Sequence, residues 1–251
     1  MGRGANEPSG SDQTMDRASE ALVETRYFDA CRLCWEAMLE ARAAQDFERM
    51  SRICLPLQEA RRQIRQLATD TGRVHVVARS EDVPHPIEPG CYLIQPPMIG
   101  LEARRLRDYA DGNSVAVFCL AREPMTRDGR WPVVGVGNEV VRTYVAPPEG
   151  VEAREGVMTR DSLEPGPSAI SIDWFESAGE ALGDEGVRAA MDVSAGEPPA
   201  WQVDDLLDRL AGVPEHEKLH QALAQACRDA AQAPPPQRVR RRQQAPNPFS
   251  F

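Results

Sequence analysis

A chain of 251 residues with a formal net charge of −10 and only 6% aromatic side chains is long enough for one sizeable domain or two small ones. Its apolar residues form islands between Pro- and Gly-rich stretches, and no run approaches the roughly 20 apolar residues of a membrane span. The polar opening MGRGANEPSGSDQ lacks the apolar core of a secretory signal, so the expected location is the cytoplasm, with no membrane partner.

Residues 1–13 read as a disordered leader. From Thr14 apolar positions recur at helical spacing, first through Ala18, Leu22 and Val23, then along FDACRLCWEAMLEARAA, where Cys31, Cys34, Trp35 and Met38 form one stripe. A third helix over DFERMSRICLPLQEARRQIRQLA carries Pro56, which predicts a kink or a division. These segments predict an antiparallel helical module over 14–72, with Trp35, Leu39, Ile53 and Leu57 in its core. From Arg73 the pattern changes: RVHVVAR alternates as a strand, CYLIQPP and SVAVFCLA are apolar runs read as strands, and WPVVGVG and NEVVRTYVA complete about five, with the helix LEARRLRDYADG ending at Gly112. They define a small mixed α/β domain over 73–146, extendable to 175 if SAISIDWF adds a strand. Residues 147–199 read as an acidic, linker-like region holding a weak, glycine-cut helix. Residues 200–232 read as a helical pair, and 233–251 as a basic disordered tail. The fold class is α+β.

The stretch YFDACRLCWEAMLEA, followed by DFERMSRICLPLQEA 19 residues later, resembles a tetratricopeptide-type helical hairpin. Its aromatic-acid-x-small opening and its small residues Ala30, Cys34 and Ala37 carry the resemblance, which covers 14–68. The repeat's period of about 34 residues is absent, and a generic three-helix bundle accounts for the same pattern.

His216-Glu217-Lys218-Leu219-His220 resembles the H-E-x-x-H string of zinc peptidases, in which Glu217 would be the general base. The resemblance fails at the third ligand: Leu223 and Ala226 stand where the extended motif has Gly and His, and no glutamate follows His220. His216, His220 and Cys227 share one helical face with Leu219 and Leu223, as packed core residues would. A metal held by those three is the structural variant of the same idea.

Six cysteines lie mostly within apolar stretches, which suits reduced core residues. Cys31-x-x-Cys34 sits inside a helix, away from the helix start that activates a redox thiolate. In VVGVGNEV, Gly135 and Gly137 lack the third glycine and the following helix of a dinucleotide fingerprint, so a bulge or bend is the expectation. QPPMIGLEARRLRD places a loop and a helix start where open α/β sheets bind ligands, with Arg104, Arg105 and Arg107 nearby. The charge is uneven: residues 147–232 carry 6 basic and 18 acidic side chains, whereas the tail carries 4 basic and none acidic. In the tail, Arg238, Arg240, Arg241 and Arg242 supply attraction to an anionic surface, and Phe249 and Phe251 supply apolar anchors. The overall negative charge opposes nucleic acid.

Together these residues predict a non-enzymatic adaptor or assembly protein with a protein partner and no cofactor. A zinc-dependent hydrolase using His216, Glu217 and His220 is the alternative.

Overall fold

The computed structural model describes residues 10–149 and 170–235. The chain opens with three helices, α1 (Gly10–Val23), α2 (Tyr27–Ala43) and α3 (Phe47–Thr69). α1 starts at Gly10, so the end of the expected disordered leader is helical. The two turns between these helices repeat one geometry 20 residues apart. Thr25 and Gln45 take left-handed φ values of 59° and 55°. Arg26 N bonds Ala21 O at 2.8 Å, and Asp46 N bonds Ala41 O at 2.9 Å, the long closing bond of a Schellman ending. Asp46 then caps α3 by accepting from Arg49 N at 3.0 Å. α3 runs unbroken through Pro56 for 23 residues. Ile53 and Leu57 are buried as expected, but Leu39 is 49% exposed and Trp35 is half-buried. The helical stripe on α2 runs instead through Ala30, Cys31, Leu33, Cys34, Ala37, Met38 and Ala41.

The five strands are β1 (Val74–Val77), β2 (Gly90–Ile94), β3 (Val117–Arg122), β4 (Trp131–Val136) and β5 (Val140–Val145), in the spatial order β1-β2-β3-β4-β5. β1, β2 and β3 are parallel, and β4 and β5 join antiparallel. Helix α4 (Gly100–Gly112) connects β2 to β3 and packs on one face, over Tyr92, Ile94, Val117, Cys119 and Ala121. The alternate residues Cys91, Leu93, Phe118, Leu120, Trp131, Val133 and Val141 face the other way, into a core shared with α3 and the C-terminal helices. Burial on both faces explains why β2 and β3 read as unbroken apolar runs.

Residues 172–193 form one helix, α5 (Ile172–Val193), where the alternation in SAISIDWF predicts a strand and the glycines predict a weak helix. Ser171 caps it by accepting from Trp174 N at 3.1 Å. Its glycines are contact points: a Cβ on Gly179 would lie 2.5 Å from the Phe118 ring, and one on Gly183 would lie 2.0 Å from Cγ of His216. Both glycines are buried, and together they let α5 settle onto β3 and the last helix. α6 (Pro199–Leu210) and α7 (Glu217–Gln232) follow, and α7 packs along α3. One apolar core therefore runs from the N-terminal helices through the sheet to α7.

β3 and β4 pair only at Ala121↔Val134 and Arg122↔Val133. Beyond those pairs the turn between α6 and α7 lies against β4. A Cβ on Gly135 would meet Gly212 O at 2.7 Å, and one on Gly137 would meet Gly212 N at 2.4 Å. Gly137 stands in the expected bend between β4 and β5, Gly135 pairs regularly with Val141 without a bulge, and both glycines also admit another backbone.

Candidate functional site

The H-E-x-x-H string does not converge on a point. His216 lies outside α7 as its N-cap, its Nδ1 accepting from Leu219 N at 3.3 Å. Nδ1 acceptance places the proton of the neutral ring on Nε2. That nitrogen lies 3.2 Å from Asp184 Oδ1 and 3.4 Å from Glu180 Oε2, both on α5, without an aligned hydrogen bond to either. Burial lowers the His216 pKa against the pull of those carboxylates. His220 points elsewhere: its Nε2 donates to Pro214 O at 2.9 Å, and its Nδ1 has no hydrogen-bond partner. Burial depresses its pKa to about 4, so the ring is neutral. Glu217 accepts from Gln58 Nε2 at 3.3 Å and lies 3.9 Å from Arg65 of α3, whose other amine reaches Glu180 at 2.6 Å. Cys227 is buried against Cys54 of α3. Each member of the string thus ties α7 to a different neighbour. Among the described residues, no group of three or more His, Cys, Asp or Glu side chains is arranged to hold a metal.

Cys31 and Cys34 are buried within α2, and burial pushes their thiols up to about 11 and about 12. Neither is a thiolate near neutral pH, which removes the basis of a redox role.

The loop before α4 is closed. Gln95 accepts from Arg122 Nη2 at 2.8 Å, the Arg122 guanidinium lies 4.4 Å from the Trp131 ring centre, and a Cβ on Gly100 would meet Val136 at 2.8 Å. Of the three arginines on α4, Arg105 turns outward to Glu102 at 2.7 Å. Arg104 and Arg107, one turn apart, enter a different space.

That space is a cleft of about 230 Å³ where α2, α3, α4 and the α6–α7 turn meet. Trp35, Leu57, Leu210 and Pro214 form its apolar wall, while Arg61, Arg104, Arg107, Asp108 and His220 supply its polar groups. Its guanidiniums are anchored from behind. Arg61 donates to Asp111 at 2.8 Å, Arg104 to Gly137 O at 3.0 Å, and Arg107 to Ala211 O at 2.9 Å and Gly212 O at 3.3 Å. A guanidinium carries five N–H donors, so most donors of all three remain unspent. No nitrogen of the three that lacks a hydrogen bond is buried, Arg107 as a whole is 7% exposed, and Arg104 Nε also lies 3.7 Å from Asp108 Oδ2. Glu215 is buried beside Arg107 and Arg61, and burial raises its carboxyl pKa against their attraction.

Sequence reasoning singled out Arg104, Arg107 and His220 but did not bring them together, and it missed Arg61, Asp108 and the role of Trp35. Arg61 is one of several arginines along α3 and carries no local signal. The tail residues Arg238, Arg240, Arg241, Arg242, Phe249 and Phe251 lie outside the described residues. No helix of the described residues is long and apolar enough to cross a membrane. The chain matches no family model, no curated protein and no solved structure.

Proposed function

We propose that the protein is a non-enzymatic adaptor or assembly protein, and that the cleft between α2, α3, α4 and the α6–α7 turn holds an anionic group of a protein partner. The observation that carries this reading is the set of three guanidiniums, held in place by backbone and Asp111 yet keeping donors unspent in a cleft that Trp35 also lines. Rigid, pre-oriented arginines beside an aromatic wall are the composition of a protein-binding hot spot. The basic tail adds a second, salt-sensitive attachment in this reading. Within the H-E-x-x-H string, His216 faces α5, Glu217 faces α3 and His220 bonds Pro214 O of the turn, so the three groups point to different partners, which favours the adaptor reading over the hydrolase alternative.

The test is co-purification from the native cell with the full chain, the Arg104→Glu variant and the Arg105→Glu variant. Arg104 lines the cleft and its side chain is 36% exposed, whereas Arg105 lies on the same helix outside it. A partner retained by Arg105→Glu and lost by Arg104→Glu is the expected result. Identical partners for both variants would refute the role of the cleft.

A further inference from the structure

Resting on the reading of the cleft as the anion site for a partner, we infer that the anion is a phosphate monoester carried on an apolar, flat stem.

The donors come from two elements, Arg61 on α3 and Arg104 with Arg107 on α4, so they approach the space from different sides. A carboxylate offers two oxygens and is satisfied by the fork of one arginine. A phosphoryl group offers three terminal oxygens and a charge of about −1.5 to −2 at neutral pH. Unspent donors on three guanidiniums match the second acceptor and exceed the first. Three guanidiniums and the carboxylate of Asp108 line the cleft, and Asp108 Oδ2 lies 3.7 Å from Arg104 Nε, so the charge facing a ligand is smaller than three guanidiniums alone would give. Asp111 is taken up by Arg61, and Glu215 stands behind Arg61 and Arg107 without lining the space.

Size and wall chemistry restrict the rest of the ligand. At about 230 Å³ the cleft is smaller than the roughly 300–1,000 Å³ of sites that enclose a whole drug-sized molecule or cofactor. It fits one anchoring group, a phosphoryl with a ring or short apolar stem lying on Trp35, Leu57 and Leu210.

The probes are phenyl phosphate, benzoate and inorganic phosphate, titrated calorimetrically into the full chain, together with a short peptide bearing phosphotyrosine and its unphosphorylated twin. Phenyl phosphate should saturate one site and bind at least about tenfold more tightly than benzoate or inorganic phosphate. Arg104→Glu, checked for an unchanged circular dichroism spectrum, should weaken it by about tenfold or more. Trp35→Ala should erase the advantage of phenyl phosphate over inorganic phosphate. A phosphopeptide that binds more tightly than phenyl phosphate, with a silent twin, supports a protein-borne ester. Equal affinities support the phosphate chemistry but point to a free ester and count against the protein partner. No saturable binding of phenyl phosphate, benzoate binding as tightly, or an unaffected Arg104→Glu variant would overturn the inference. If phosphate probes fail while partner capture still depends on Arg104, the assigned chemistry is wrong and the cleft's role as a partner site stands.

Discussion

Gly183 of α5 and His216 of the α6–α7 turn touch so closely that a Cβ on Gly183 would lie 2.0 Å from the imidazole Cγ. The first histidine of the H-E-x-x-H string is therefore wedged between a helix backbone and its own capping bond, a position set by packing. Gly183→Ala must displace a buried ring and should cost about 1–3 kcal/mol by overpacking, despite the better helix propensity of alanine. Gly186→Ala, three residues on, meets Leu219 and Val141 at no less than 3.5 Å and should leave stability unchanged or raise it by up to about 1 kcal/mol. Melting temperatures of the two variants check this pair, and equal shifts would refute the wedge.

The crossing of the α6–α7 turn over β4 makes a similar demand. Gly137→Ala would bring a methyl to 2.4 Å from Gly212 N, a backbone atom that cannot rotate away. We expect a loss of about 2 kcal/mol or more, accompanied by weaker binding in the cleft because Arg104 and Arg107 are anchored on Gly137, Ala211 and Gly212. Gly112→Ala has nothing within 4 Å and serves as the control. Urea unfolding of both variants is the measurement.

Stability should fall with acidification in a window set by the histidines. The folded state holds His220 near a pKa of about 4, whereas an unfolded histidine titrates near about 6.5. Below about pH 6.5 the unfolded chain binds a proton that the folded chain refuses, and this continues to about pH 4, for a total of about 3 kcal/mol. His216, also lowered by burial, acts in the same direction. Glu215 opposes them: its raised pKa favours the folded state as pH falls toward its unfolded value. Lowered carboxylates such as Asp184 and Glu59 add their loss only below about pH 4. His220→Gln should flatten the slope between about pH 6.5 and 4.5, measured as the denaturation midpoint at each pH. An unchanged slope would place the ring in water.

For the H-E-x-x-H string, His216→Ala should remove a helix cap at a cost of about 1 kcal/mol. The full chain, incubated with zinc and desalted, should retain no stoichiometric metal in either form. One zinc per chain, lost in both His216→Ala and His220→Ala, would restore the hydrolase reading.

The five strands and α4 were legible because alternation in β1, short apolar runs in β2 and β3, and turn residues mark them locally, and the first three helices because their apolar stripes are continuous. α5 was not. Gly179, Gly183 and Gly186 look like breakers in a linear reading; the ring of Phe118 accounts for Gly179 and the imidazole of His216 for Gly183, while no atom crowds Gly186. The pair Gly135 and Gly137 carried a signal of close backbone approach without naming the partner, Gly212. The cleft was the least legible part. Trp35, Leu57, Arg61, Arg104, Arg107 and His220 lie on four separate segments, and their convergence depends on α7 returning to α3, which no local pattern encodes.

On the proposed function, the arginine-lined cleft, and not the H-E-x-x-H string, meets the partner. The direct measurement is the dissociation constant of the captured partner for the full chain, Arg104→Glu and Glu217→Gln. We predict a weakening of about tenfold or more for Arg104→Glu and no change for Glu217→Gln. Binding that survives Arg104→Glu and collapses in Glu217→Gln would contradict it.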